Sequence, residues 1–117
     1  MQFICYPNCT TCKKARKWLE DHNLPFEFRD IKLNNPTVSE LETWLKKSNL
    51  PLSRFWNTSG QQYRALNLKD KRAHMTAQEQ INLLATDGML VKRPIIIGPN
   101  FVLVGFKEAE WAGVLLS

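Results

Sequence analysis

Cys9 and Cys12 are the residues of this sequence best suited to chemistry, because they form a Cys-Thr-Thr-Cys motif within YPNCTTCKKARKWLE. The apolar spacing after Thr10 predicts a helix, with Cys9 just before it and Cys12 in its first turn. The N–H groups and dipole at a helix start stabilise a thiolate, and Lys13 and Arg16 add positive charge. We therefore predict that Cys9 has a lowered pKa and attacks a disulfide, and that Cys12 resolves the mixed disulfide.

Two other roles for the pair are weaker. A structural zinc site needs four ligands, and beyond the three cysteines the sequence offers only His22 and His74. A disulfide scaffold conflicts with the odd number of cysteines. We predict no metal site, and we expect Cys5, inside an apolar segment, to be a small buried apolar residue.

The segments around the pair predict a βαβ unit. QFICY and PFEFRDI have the short apolar or alternating patterns of strands, and residues 10–22 between them have helical spacing. A strand, a helix and a strand within about thirty residues form a unit whose two strands pair in parallel.

The rest of the chain completes a thioredoxin-like α/β fold. Residues 37–86 contain several helical segments. Two β-branched runs, 95–97 and 101–104, flank a Gly-Pro-Asn turn and predict an antiparallel hairpin. A closing helix follows, with Val114 among its inward-facing residues. We predict a single domain over residues 1–117, with a mixed four-stranded sheet, covering helices and a helical insertion over about 37–86.

A second candidate group lies at the start of the third predicted strand, where Lys92 and Arg93 precede Pro94. In a thioredoxin-like fold a cis proline at this place faces the cysteine loop. We predict that the Arg93–Pro94 bond is cis, that it lies near Cys9 and that Pro94 forms the substrate-side wall. Arg93 then stabilises the thiolate or binds an anion through two N–H groups. The alternative is a surface arginine beside a strand.

Composition and charge narrow the function classes. The chain has 117 residues, 44% of them hydrophobic and 23% charged, as in an ordinary globular domain. No apolar run approaches the roughly 18 residues of a membrane span, and the first residues lack signal-peptide features, so we expect a cytoplasmic protein without membrane contact. The net charge of +5 suits either a solvated surface or an anionic partner. Two basic clusters contribute to it: Lys13, Lys14, Arg16 and Lys17, and Lys69, Lys71 and Arg72.

The segments YPNCTTCKKARKWLE and LVKRPIII, together with FVLVGF, resemble the ArsC/Spx family of thioredoxin-like proteins. The resemblance covers essentially the whole chain. It implies first an arsenate reductase-like thiol–disulfide oxidoreductase without a tightly bound cofactor, whose partner is a thiol or disulfide and whose reductant is glutathione or glutaredoxin. A second implied function is a redox-sensing transcriptional regulator. Such a regulator binds the C-terminal domain of the RNA polymerase alpha subunit and does not contact nucleic-acid bases specifically.

A third implied function is glutathione- or glutaredoxin-dependent arsenate reduction, and the residues favour it least. Arsenate reductases of this family use one cysteine, here Cys9, and three arginines. Arg93 matches one of these arginines, whereas Asn57 and Lys107 stand at the other two positions, and neither has the planar fork of a guanidinium. Ser59 stands where the regulators of the family have an arginine that helps to hold the polymerase.

Overall fold

The structure is a computed structural model that describes all residues from 1 to 117. It contains four strands and six α-helices, with short 3₁₀ turns between them. The strands are β1 Gln2–Cys5, β2 Glu27–Asp30, β3 Ile95–Ile97 and β4 Val102–Val104. The helices are α1 Thr10–Asp21, α2 Val38–Ser48, α3 Gln61–Ala65, α4 Leu68–Lys71, α5 Ala77–Leu84 and α6 Glu108–Leu115. The 3₁₀ turns are Leu52–Phe55, Arg72–His74 and Gly88–Leu90. Every helix is too short or too polar to cross a bilayer.

The sheet is mixed and has four strands in the order β2-β1-β3-β4, which confirms the predicted fold class. β1 pairs with β2 in parallel, and β3 pairs with both β1 and β4 in antiparallel fashion. Ile4 of β1 lies opposite Ile95 of β3. Because these two strands run in opposite directions, the start of β3 lies beside the end of β1. This register carries Arg93 and Pro94 toward the loop that holds Cys9.

Side chains of successive strand residues alternate between the two faces of the sheet. Phe3 and Cys5 pack with α1 and α6 on one face, in a cluster that includes Cys12 and Trp111. Ile4 points to the opposite face, where a larger cluster contains residues of the predicted insertion. The sheet is therefore covered by helices on both faces, and Cys5 lies on the face that α1 covers.

Helix α1 begins where its sequence predicts and buries Cys12, Ala15 and Leu19 along one side. The closing helix α6 buries Trp111, but Val114 is 39% exposed, so the prediction that Val114 faces inward is wrong. Trp111 and the partly buried Leu115 pack against the cluster that contains α1, and the ring of Trp111 meets that of Trp18 edge to face at 5.9 Å.

A fork-shaped ion pair attaches α2 to the sheet. Arg29 of β2 donates from Nη1 and Nη2 to the two carboxylate oxygens of Glu40, at 2.7 and 2.9 Å. The same carboxylate accepts from the backbone N–H of Thr37 at 3.0 Å, completing a capping box at the start of α2. The hydrogen bonds from Arg29 hold the pKa of the Glu40 carboxyl below its usual value, against the opposing effect of its partial burial.

Replacement Glu40→Gln is expected to reduce the free energy of unfolding at pH 7 by about 1–3 kcal/mol, because two charge-assisted hydrogen bonds lose their charge. A lowered pKa in the folded state stabilises the protein above the unfolded-state pKa, and this contribution is lost as pH falls through the folded-state value. The deficit of the variant should therefore shrink between pH 7 and about pH 3. Urea unfolding at both pH values measures it, with Glu42→Gln on the same helix as control. An equal deficit at both pH values would contradict the assignment.

Candidate thiolate site

Cys9 lies immediately before α1, in extended backbone conformation, and its thiol is free and partly exposed. Its own N–H donates to the carbonyl oxygen of Tyr6 at 3.0 Å, which closes the loop between β1 and the helix. The backbone N–H groups of Cys12 and Thr11 favour the thiolate of Cys9 and so lower the pKa of its thiol. The start of α1 therefore supplies backbone donors to this one thiol.

Arg93 contributes the side-chain charge at the site. Its guanidinium favours the Cys9 thiolate through a hydrogen bond and its positive charge, and it lies over the ring of Tyr6, 5.5 Å from the ring centre. The Nε and Nη1 groups of Arg93 are buried and donate to no atom of the protein. Arg93 thus has unused donors beside the thiolate, as binding of an anion would require.

Partial burial raises the pKa of the Cys9 thiol, but the N–H groups of Cys12 and Thr11 and the Arg93 guanidinium outweigh it. The net pKa is lowered, in the direction that the sequence predicts. The predicted contribution of Arg16 does not arise, because its guanidinium lies over the rings of Phe26 and Phe28 on the flank of α1. The side-chain charge that stabilises the Cys9 thiolate comes instead from Arg93, which is distant in sequence.

The disulfide in the structure joins Cys5 to Cys12, whereas the sequence predicts a bond between Cys9 and Cys12. The Cα atoms of Cys5 and Cys12 are 5.9 Å apart, a usual separation for bonded cysteines. Cys5 is fully buried, as expected, but it is not an inert apolar residue. The period-2 alternation of β1 aims Cys5 at α1, and the first buried residue of that helix is Cys12. The roles of Cys9 in attack and of Cys12 in resolution stay predictions.

The Arg93–Pro94 peptide bond is cis, as predicted. Pro94 is buried, and its carbonyl oxygen accepts from the N–H of Gly105 at 2.8 Å. Its role as a substrate-side wall stays a prediction.

A polar cavity of about 490 Å³ opens beside Arg93. Asn57 and Ser59, two of the positions that the family resemblance singled out, contribute to its lining, whereas Lys107 does not. The other charged and aromatic lining residues are Tyr6, Lys32 and Asp87. No local pattern in the sequence indicates this cavity, because its walls come from the segments after β1 and β2, from residues 57–62 and from the segment before β3. Only the tertiary fold brings these segments together.

The two basic clusters differ in how they pack. Lys13, Lys14 and Lys17 are exposed along α1. Arg72 instead lies over the ring of Trp56, 5.2 Å from its centre, and donates to the hydroxyl of Tyr63 at 3.0 Å. Arg72 is therefore part of the packing of the insertion.

No group of three or more His, Cys, Asp and Glu side chains is arranged to hold a metal ion.

The mixed sheet, with a cysteine placed just before the helix that follows β1, defines a thioredoxin-like protein. Within that class the chain belongs to the ArsC family, whose pattern matches residues 5–114. The chain is 48% identical to "Uncharacterized protein YusI" of Bacillus subtilis strain 168, over 95% of this chain and 94% of that protein. It is 31% identical to "Global transcriptional regulator Spx" of Staphylococcus saprophyticus, over 89% and 78% of the two chains. A crystal structure of an ArsC family related protein from Bacteroides fragilis superposes with a TM-score of 0.93 at 51% identity, covering 96% of this chain and 94% of that one.

Proposed function

We propose that this protein is a thiol–disulfide oxidoreductase in which Cys9 is the attacking thiolate. The observation that carries the proposal is the free, partly exposed Cys9 sulfur at the start of α1, and two helix-start N–H groups and the Arg93 guanidinium lower the pKa of its thiol. A thiolate is the nucleophile of disulfide exchange, and its partial exposure lets a substrate disulfide reach it. Membership of the ArsC family, whose fold is that of thiol oxidoreductases, supports the same chemistry.

In the proposed reaction Cys9 forms a mixed disulfide with the substrate, and Cys12, one turn into α1, displaces the substrate thiol. The unused donors of Arg93 hold an anionic group of the substrate, such as a carboxylate of glutathione, and Pro94 forms the adjoining wall. Glutathione or glutaredoxin then restores the thiols, and no tightly bound cofactor takes part. This cycle suits the cytoplasm, where glutathione is kept reduced.

The test is the glutathione-dependent reduction of 2-hydroxyethyl disulfide, with and without glutaredoxin, followed through NADPH consumption by glutathione reductase. Wild-type protein is expected to exceed the uncatalysed rate. Cys9→Ser should fall to that background, a loss of about 100-fold or more, because a hydroxyl does not replace the thiolate. Cys12→Ser should retain part of the activity, since external glutathione can resolve the mixed disulfide. Full activity in Cys9→Ser, or none in wild type, would refute the proposal.

The second candidate is a redox-sensing regulator that binds the C-terminal domain of the RNA polymerase alpha subunit, without base-specific contact to nucleic acid. The similarity to a global transcriptional regulator over 89% of this chain favours it. Ser59, at the position where the family resemblance places an arginine, weakens it. Pull-down of the isolated alpha domain by oxidised and by reduced protein tests this function. Binding in only one redox state is the expected result, and binding in neither rejects it.

Arsenate reduction is the third candidate. Among the three positions that surround the oxyanion in the resemblance, only Arg93 carries a guanidinium, and the side-chain amide of Asn57 already donates to the carbonyl oxygen of Met89 at 3.3 Å. The same NADPH-coupled assay, with arsenate in place of the disulfide, tests it. We expect a rate indistinguishable from background.

A further inference from the structure

Three sulfur atoms of unequal accessibility lie around the start of α1. Cys5 is fully buried and Cys12 is 3% exposed, whereas Cys9 is partly exposed. Cys9 packs against the same cluster that contains Cys5 and Cys12. A substrate disulfide or a glutathione molecule arriving from solvent can therefore meet only Cys9. The bond between Cys5 and Cys12 lies beyond its direct reach.

We propose that Cys5 is the third redox residue of this site and that it attacks the Cys12 sulfur of a Cys9–Cys12 disulfide and displaces Cys9. The oxidised protein then holds a buried Cys5–Cys12 disulfide and a free Cys9 thiol. The proposal rests on the oxidoreductase function argued above and adds a final step to it. Its basis is the disulfide between Cys5 and Cys12, the burial of both residues and the position of Cys9 at the entrance. We call this sequence of exchanges the three-cysteine relay.

The relay balances with glutathione disulfide as the oxidant. The Cys9 thiolate attacks one glutathione sulfur, which forms a Cys9–glutathione bond and releases the first glutathione thiolate. Cys12 loses its proton to that thiolate and attacks the Cys9 sulfur, which forms the Cys9–Cys12 bond and releases the second glutathione thiolate. Cys5 then loses its proton to this second thiolate, attacks the Cys12 sulfur and expels Cys9 as a thiolate. Two electrons have left Cys5 and Cys12, and two glutathione molecules have been formed.

The direction of the last step follows from the surroundings of Cys9 and Cys12. A thiol of low pKa is the better leaving group, and Cys9 is the cysteine with the backbone donors and Arg93. The exchange therefore releases the sulfur whose thiolate the site stabilises best. The backbone N–H of Tyr6, the residue after Cys5, donates to the Cys12 sulfur at 3.2 Å. This contact holds Cys12 over the end of β1, within reach of Cys5.

The relay also determines how the protein is reduced. The released Cys9 thiolate can attack Cys12 and return the bond to Cys9–Cys12, which an external thiol then opens at the more exposed Cys9 sulfur. Cys9 is thus needed in both directions. A Cys9→Ser variant should form and lose the Cys5–Cys12 bond slowly, although neither partner of that bond is changed.

The first experiment identifies the free cysteine of the oxidised wild-type protein. The protein is oxidised in glutathione disulfide, unfolded in urea that contains excess iodoacetamide so that buried free thiols also react, then reduced and alkylated with N-ethylmaleimide. The first basic residue is Lys13, so trypsin releases all three cysteines in the one peptide Met1–Lys13. Fragment masses then show which label each cysteine carries. We expect iodoacetamide on Cys9 and N-ethylmaleimide on Cys5 and Cys12.

The alternatives separate the relay from the function on which it rests. Iodoacetamide on Cys5, with N-ethylmaleimide on Cys9 and Cys12, overturns the relay and leaves the two-cysteine oxidoreductase in place. Iodoacetamide on all three cysteines overturns both. In Cys5→Ala and Cys5→Ser, checked for folding by circular dichroism, we expect the bond to remain between Cys9 and Cys12.

The second experiment measures the rate at which the Cys5–Cys12 bond forms in glutathione disulfide, by the same labelling at timed intervals. Cys9→Ser should form it at least about tenfold more slowly than wild type, because the accessible attacking thiol is missing. Asn8→Ser, next to Cys9 but without a thiol, is the matched control and should react at the wild-type rate. Equal rates in Cys9→Ser and wild type would show that the buried pair oxidises directly and would overturn the relay.

Discussion

Arg93→Ala is expected to slow the alkylation of Cys9 at pH 6 by about tenfold, because a charge-assisted hydrogen bond worth about 1.5–3 kcal/mol no longer stabilises the thiolate. Only the thiolate reacts, so the rate follows the thiolate fraction. Without Arg93 the pKa of Cys9 rises, and at pH 6 a smaller fraction is ionised. At pH values above the pKa of Cys9 in both wild type and Arg93→Ala, the two alkylation rates should converge. Arg93→Lys should fall between them, since it keeps the charge and loses the fork.

The measurement is the rate of iodoacetamide addition to Cys9 between pH 4 and pH 9, read by the mass of the Met1–Lys13 peptide. Arg16→Ala is the matched control. Arg16 is also an arginine near the cysteine motif, but it packs on Phe26 and Phe28 and lies 3.8 Å from the carboxylate of Glu20. Its removal should leave the midpoint of the profile unchanged. If the midpoint moves in Arg16→Ala and not in Arg93→Ala, then Arg16 stabilises the thiolate and the role assigned to Arg93 is wrong.

Local patterns were sufficient for the framework of the fold. The alternation and β-branching of the strands, and the spacing of Cys12, Ala15 and Leu19, are properties of short segments, and they predicted the βαβ unit and the final hairpin. The Cys9 position followed from the same patterns, because it depends only on where α1 begins. Local patterns alone do not predict the cis bond before Pro94. That prediction also depends on the thioredoxin-like arrangement of the whole chain.

The pairing of Cys5 with Cys12 depends on packing between elements. Spacing along the chain favours Cys9 and Cys12, since three residues separate neighbours on a helix surface. The packing of the sheet against α1 favours Cys5 and Cys12 instead. Strand β1 turns the Cys5 side chain toward α1, next to Cys12, the first buried residue of that helix. The alternation of Phe3 and Cys5 was the available signal, and it shows that both side chains share a face.

Local sequence patterns also do not predict the cavity beside Arg93. Asn57 and Ser59 lie in an irregular segment between short helices, and nothing local indicates which surface they approach. Asn57 reaches the cavity because its backbone N–H donates to the carbonyl oxygen of Leu90 at 2.8 Å, and its neighbour Trp56 forms a bridge with Val91. These contacts join the insertion to the approach of β3, and they exist only in the folded chain.

Gly88→Ala is expected to reduce the free energy of unfolding by about 3 kcal/mol, near the upper end of the usual cost of overpacking. A Cβ atom at residue 88 would overlap the backbone carbonyl group of Ile31 and crowd the side chain of Asn35. Backbone atoms cannot move aside as a flexible side chain can. The 3₁₀ turn Gly88–Leu90 must then separate from the segment that follows β2, and the burial of Leu90 is lost with it.

The effect should extend to the site, since Asp87 and Met89, on either side of Gly88, line the cavity next to Arg93. Urea unfolding measures the stability change. Gly113→Ala is the matched control, because no atom lies within 4 Å of a Cβ at that exposed position in α6. There the same substitution should raise stability by about 0.5–1 kcal/mol, through better helix propensity. If both variants change stability equally, the close approach between Gly88 and Ile31 does not constrain the fold.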